Sequence, residues 1–259
     1  MFKLKFTQEP KLENPILIEG LPGIGHVGKI AASYLCKQLK AKKFAILYSF
    51  YFPPQVIIMK SGMVTAMKND FYFWKAEKEG QNDLIIIIGN TQSTSSEGQY
   101  KLAEKILDIA EKYGVREIYT LGGLGVGKMV EKPRVYGATT SLDEIKRLEN
   151  LGVVMKRDIV GQIIGISGLL LALGKLRGIK ATCLMGETSG FYLDPNAAKK
   201  VLEVLCKLLN IEIDFTGLSK KVKMAEKQVE EVQRMERKIM EEMGILRREP
   251  TGEDLKYIG

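Results

Sequence analysis

The stretch Glu19-Gly-Leu-Pro-Gly-Ile-Gly-His-Val-Gly-Lys-Ile30 decides the fold. It follows a short apolar run, Pro15-Ile-Leu-Ile-Glu19, and leads into Lys29–Leu39, where Ile30, Tyr34 and Leu35 recur at helical spacing. Strand, glycine turn and helix in that order open an α/β protein. Two phosphate-binding signatures fit the same residues. Gly23–Gly28 has the spacing G-x-G-x-x-G, and Gly23–Lys29 reads G-x-x-x-x-G-K. Each lacks a chemical partner. A P-loop follows its lysine with Ser or Thr, whose hydroxyl ligates magnesium, but Ile30 stands here. A dinucleotide site needs a carboxylate roughly 20 residues on, for the ribose hydroxyls. The second strand and its exit, AILYSFYFPP, hold none.

Outward from this unit, strands and helices alternate. Phe44–Tyr48 reads as a strand stopped near Pro53-Pro54. Val56–Met59 and Met63–Met67 flank Lys60-Ser61-Gly62 as a hairpin, and Asp70–Lys75 is expected to extend that antiparallel patch. Asp83–Gly89 is apolar throughout, the mark of a strand covered on both faces. A helix over Gly98–Tyr113 and a strand over Val115–Leu121 follow. Ser141 and Glu144 have the spacing of a capping box before a helix reaching Leu148. Gly161–Leu176 reads as a buried helix, too short for the roughly 20 residues that span a bilayer. Lys180–Met185 is a further strand. Asp194-Pro195 then supplies an N-cap and an N1 proline for a helix to about Leu209. The fold class expected is α/β, a mixed, largely parallel central sheet with helices on both faces, plus an extended C-terminal helix.

The glycine near-miss recurs at Gly122-Gly-Leu-Gly-Val-Gly127-Lys128, followed by Met129. Two such exits without the hydroxyl disfavour nucleotide hydrolysis. They suit sharp turns and close backbone packing, with Gly23, Gly25, Gly28, Gly122, Gly125 and Gly127 as structural residues. Their amides still leave a small anion open as a ligand. A third loop, Gly186–Pro195, offers Glu187 at a strand's C-terminal end, while Thr188, Ser189 and Asp194 fit a turn and a cap. His26 is the single histidine, without a local partner for acid–base work. Cys36, Cys183 and Cys206 form no C-x-x-C pair. That pattern predicts a reducing, cytoplasmic setting, and neither a metal nor a cofactor is expected.

Beyond Ile213 the chain changes character. Leu218, Val222, Ala225, Val229, Val232, Ile239 and Met243 follow steps of four and three, with polar Glu236 at the skipped position. A helix over 216–244 would run about 40 Å at 1.5 Å per residue. Its apolar seam has to pack, either on its own domain or on other subunits. The domains predicted are 1–215 as the α/β body, 216–244 as the heptad helix and 245–259 as a flexible arm. The net charge of +8 comes from interspersed Lys and Arg without a dense basic block, so nucleic acid is not an expected partner, nor is a membrane.

The strings LIEGLPGIGHVGKIAASYL, GGLGVGK and GISGLLLALGKLRGIKATCLMGETSGFYLDPNAAKKVLEVLCKLL, in this order, closely resemble the proteasome assembly chaperone family, its archaeal members above all, over roughly residues 10–218. The resemblance implies a nucleoside-phosphorylase-like fold without the phosphorylase catalytic residues. It also implies a non-enzymatic homo-oligomer. Its partners would be 20S proteasome α-subunits or core particle, itself, and a paralogous chaperone. The family docks by a C-terminal hydrophobic residue, tyrosine and one final residue. This chain ends Leu255-Lys-Tyr257-Ile258-Gly259, with tyrosine third from last, so the motif is shifted by one position. The alternative is an enzyme or sensor of nucleosides, with the Gly23–Gly28 amides on phosphate and Glu187 on a ribose hydroxyl.

Overall fold

A computed structural model of the chain describes residues 1–155 and 161–225. Contacts divide the chain into two units, Met1–Ser219 and Lys220–Gly259; the first carries the fold. Its centre is the apolar strand β7 (Leu84–Gly89), parallel to β2 (Ile16–Gly20), which is parallel in turn to β8 (Glu117–Gly125). Strand β10 (Lys180–Thr188) joins β8 in parallel, and β9 (Val135–Thr139) closes that side antiparallel to β10. On the other side β6 (Asn69–Trp74), β3 (Lys42–Ser49) and β1 (Phe2–Phe6) add antiparallel. The order is β1-β3-β6-β7-β2-β8-β10-β9, a mixed sheet of eight strands with a parallel middle.

Side-chain alternation feeds two cores, one on each face. Ile16, Ile18, Leu84 and Ile86 meet α1 (Val27–Gln38) and α5 (Pro195–Leu208). Leu17, Ile85 and Ile87 meet α2 (Ser96–Lys112) and α4 (Ile166–Leu176). Each large side chain fully withdrawn from water stabilises the fold by roughly 1.5–3 kcal/mol before entropy, which is why a strand of four consecutive isoleucines belongs at the middle. Helix α3 (Asp143–Asn150) lies beyond β9 and inserts Leu148 into the first core. The three thiols are buried and free of disulfides, and burial pushes those of Cys36 and Cys206 up to about 12.

Several local expectations change. Strand β6 does not extend the hairpin; it sits in the main sheet, pairing Phe71 with Ala45 on one side and Ile87 on the other. The hairpin, β4 (Val56–Ile58) and β5 (Val64–Ala66), pairs only with itself among the described residues. Strand β8 runs on through Gly122, Gly123 and Gly125, which are sheet residues rather than a loop, because β10 pairs with them as far as Thr188. Strands β1 and β9 lay outside the sequence reading. The Ser141 side chain does not cap α3: Leu142 takes the cap position, and Ser141 offers its carbonyl to the Glu144 N–H at 3.3 Å. Helix α4 starts at Ile166 rather than Gly161.

The sheet margins differ. On β1, Lys3 and Lys5 are exposed while Phe2, Leu4 and Phe6 lean on the core. Outside β9, Val154 hydrogen-bonds back to Val135 at 2.8 Å. Residues 216–225 are helical, and Leu218 is fully buried in the core shared with α1 and α5.

Candidate functional site

The three glycine-bearing segments, distant in sequence, converge at the C-terminal ends of β2, β8 and β10. Strand β2 leaves the sheet at Gly20 and turns tightly through Ile24–His26, where Gly25 (φ +59°) and His26 (φ +51°) take left-handed backbone. His26 N–H closes the turn on Gly23 O at 2.9 Å. A Cβ on Gly28 would fall inside the Leu121 carbonyl of β8, so helix and strand backbones touch directly. A Cβ on Gly123 would lie 2.5 Å from Ile24 O, and one on Gly25 2.8 Å from Thr188 Oγ1. Two hydrogen bonds lock the cluster: Asp194 N–H donates to Gly25 O and Val126 N–H to Thr188 O, both at 2.9 Å. By contrast, Gly23, Gly122 and Gly127 leave open space or only loose contact where a Cβ would stand, and Gly125 would just touch Ile24.

Glu187 is occupied. Its carboxylate accepts from Arg134 Nε at 3.1 Å to each oxygen and from Nη2 at 2.7 Å. The Arg134 backbone N–H adds 3.0 Å, and the Tyr136 hydroxyl donates at 3.3 Å. The Arg134 guanidinium holds this carboxyl below its ordinary range. Thr188 and Ser189 accept from the amides of Gly190 and Phe191. Asp194 caps α5 through Ala197 N–H at 2.8 Å. His26 is partly buried, and desolvation with neighbouring Lys29 lowers its pKa.

Three groups escaped the sequence reading: Glu19, Thr120 and Arg134. Glu19, at the end of β2, is fully buried beneath the cluster. It accepts from Leu21 N–H at 2.8 Å and from the Ser167 hydroxyl of α4 at 2.9 Å. Burial outweighs both bonds and pushes its pKa up to about 7. Opposite it on β8, the Thr120 hydroxyl is buried without a hydrogen-bond partner among the described residues. The signal was a carboxylate closing an apolar strand. Arg134 gave no local signal, since it lies 53 residues from Glu187.

Around the cluster the surface is apolar. Ile24, Phe191, Tyr192 and Leu193 are exposed beside Gly125 and Gly190, and Met129 stands on the connection from β8 to β9. That connection frames a cleft of about 530 Å³ between Lys128, Glu131, Lys132, Arg134 and Glu187. Among the described residues, no group of three or more His, Cys, Asp or Glu could hold a metal, and no helix is long and apolar enough to cross a membrane. Of the proposed seam, Leu218 is in the body's core rather than on an open face, and Val222 and Ala225 lie on helical residues. Val229, Val232, Ile239, Met243 and the terminal Leu255, Tyr257, Ile258 and Gly259 lie outside the described residues.

The sequence profile of the PAC2 family matches residues 17–233. Among solved structures, Pyrococcus furiosus PbaB, described as an archaeal proteasome activator, is 43% identical with a TM-score of 0.86, covering 90% of this chain and 98% of that one. Pyrococcus furiosus PbaA, described as an archaeal homolog of proteasome-assembly chaperone, is 34% identical with a TM-score of 0.72, covering 88% and 95%. A Methanocaldococcus jannaschii protein of uncharacterized role is 46% identical over 248 residues, 96% of this chain and 93% of its own length.

Proposed function

Since the chain belongs to the PAC2 family, we propose that it is a chaperone or adaptor of the proteasome, working as a homo-oligomer that binds 20S α-subunits, the core particle or a related assembly chaperone. The observation that carries this reading is its likeness, over 90% of the chain, to a proteasome activator at 43% identity. In this reading the heptad helix joins subunits, and the terminal Leu255, Tyr257, Ile258 and Gly259 reach the partner. The work is recognition between polypeptides, with no reaction performed. The nucleoside alternative loses support at Glu187, whose two oxygens already serve Arg134 and Tyr136. It loses more at Gly28, where β8 fills the side of the turn facing the sheet.

Sedimentation of the full-length protein with archaeal 20S core particles tests the proposal. Complex formation is expected, weakened in a chain lacking Leu255–Gly259. No complex with either form, across a range of salt and temperature, would remove the proteasome from the account.

A further inference from the structure

The glycine cluster joins two surfaces that make little sense apart. Ile24, Phe191 and Leu193, exposed to 51%, 74% and 62%, form an apolar rim at the strand ends. Contiguous apolar surface bordered by charge marks a contact site on a soluble protein. Beside it lies the cleft of the β8–β9 connection. The two are continuous, because Val126 N–H bonds Thr188 O at 2.9 Å and Asn196 Nδ2 holds Glu131 O at 2.9 Å. Those bonds tie the connection to β10 and to the start of α5, so the surface is backed by regular elements on both sides.

The charges are unequal in kind. Glu187 is buried and spent on Arg134, whose side chain remains 63% exposed. Lys128 and Lys132 have no ion-pair partner among the described residues. Glu131 lines the same cleft, also without an ion pair among the described residues, so the cleft offers two unpaired ammonium groups against one carboxylate, next to an uncovered apolar rim. A small anion would meet the lysines and leave the rim wet. A nucleic acid would meet the lysines and could stack on Phe191 and Tyr192, but its phosphates would face the Glu131 carboxylate and its bases would gain little from aliphatic Ile24 and Leu193. A second copy meeting this face with the same face would set Lys128 and Lys132 against their own kind.

We infer that this surface docks an acidic, apolar-studded segment of a partner polypeptide, with Ile24, Phe191 and Leu193 taking its apolar side chains and Lys128 and Lys132 its carboxylates. The inference rests on the reading of the protein as a proteasome-binding chaperone, and assigns the folded body a contact separate from the C-terminal arm. Opposed charges give such a contact a strong salt dependence.

Two arms of one experiment test it with the full-length chain. Affinity for archaeal 20S core particles is measured at low and high salt for the unaltered protein, for Lys128→Glu with Lys132→Glu, and for Leu193→Asp. Calorimetry with a synthetic peptide of alternating Glu and Leu follows on the same proteins. Lys3→Glu with Lys5→Glu, at the opposite margin of the sheet, is the control. At least a tenfold loss is expected for both rim and cleft variants in both arms, with a flatter salt dependence for the lysine pair and melting curves unchanged. Core-particle binding that survives these substitutions overturns the inference and leaves the proteasome reading standing. Peptide binding lost by the variants, without core-particle binding by any form, sustains the surface and removes the proteasome. Absence of binding in both arms, tighter binding of poly-dT than of the peptide, or concentration-dependent self-association blocked by Leu193→Asp each overturns it.

Discussion

Gly28 has no room for a methyl group, since a Cβ would enter the Leu121 carbonyl. Alanine would gain about 1 kcal/mol of helix propensity in α1. It would also force two backbones apart, and overpacking of this kind costs about 1–3 kcal/mol or more. Gly28→Ala is expected to lower the melting temperature, while alanine at open Gly23 changes little; equal effects would mean that the turn is not clamped by β8. Glu19 gives a signed pH effect. Its pKa is about 7 in the fold against 4.5 for a glutamate in water. Stability from this group is therefore full below pH 4.5 and falls as pH rises through 7, because the unfolded chain ionises first. Relative to Glu19→Gln, the native protein should lose on the order of 3 kcal/mol across that interval, at 1.36 kcal/mol per unit. Urea titrations at about pH 5 and about pH 8 measure it, and parallel behaviour of the two proteins would refute it. At this scale the sequence was legible where neighbours decide. The Asp194 cap and the Gly25 turn are local, whereas the burial of Glu19 depends on α4, and its Ser167 partner lies 148 residues away.

Elements were readable where one periodicity rules. The isoleucines of β7 and the helical spacing of α1, α2 and α5 sit where pattern puts them. The strand failures share a cause: pairing overrode composition. Glycine-rich Gly122–Gly125 reads as a loop, yet β10 supplies a parallel partner for each residue. Phe71 and Phe73 look like part of a meander, but β3 and β7 offer flanking strands and a buried face. Strand β9, with glycine at 137, has little signal of its own and forms because β10 has a free side. The α5 start can be tested alone. Asp194→Ala removes the acceptor for Ala197 N–H and should cost about 1 kcal/mol, with Asp194→Asn milder. Denaturant midpoints decide it, and no difference between wild type and Asp194→Ala would mean that Pro195 alone sets the helix start.

For the whole molecule, the proposed association rests on the seam residues. Leu218 is already used inside the body, so association would have to draw on residues further along. Under the proposal that the heptad helix joins subunits, replacing Val229 and Val232 with Asp is expected to lower the solution mass to that of a single chain. Solution mass measured by light scattering checks this; an unchanged mass would place the glue elsewhere. The hairpin also leaves Ile58, Met63 and Val64 exposed, on a pair of strands joined to no other strand among the described residues. Strand addition is discouraged at both margins of the sheet. At one margin of the sheet Lys3 and Lys5 alternate along β1, and at the other Val154 already hydrogen-bonds the β9 backbone. Charged side chains on a border strand, and a border already satisfied, are the means by which sheets avoid templating fibrils. Crowding many copies together, as any multi-subunit assembly does, should therefore leave this protein in solution rather than seed amyloid.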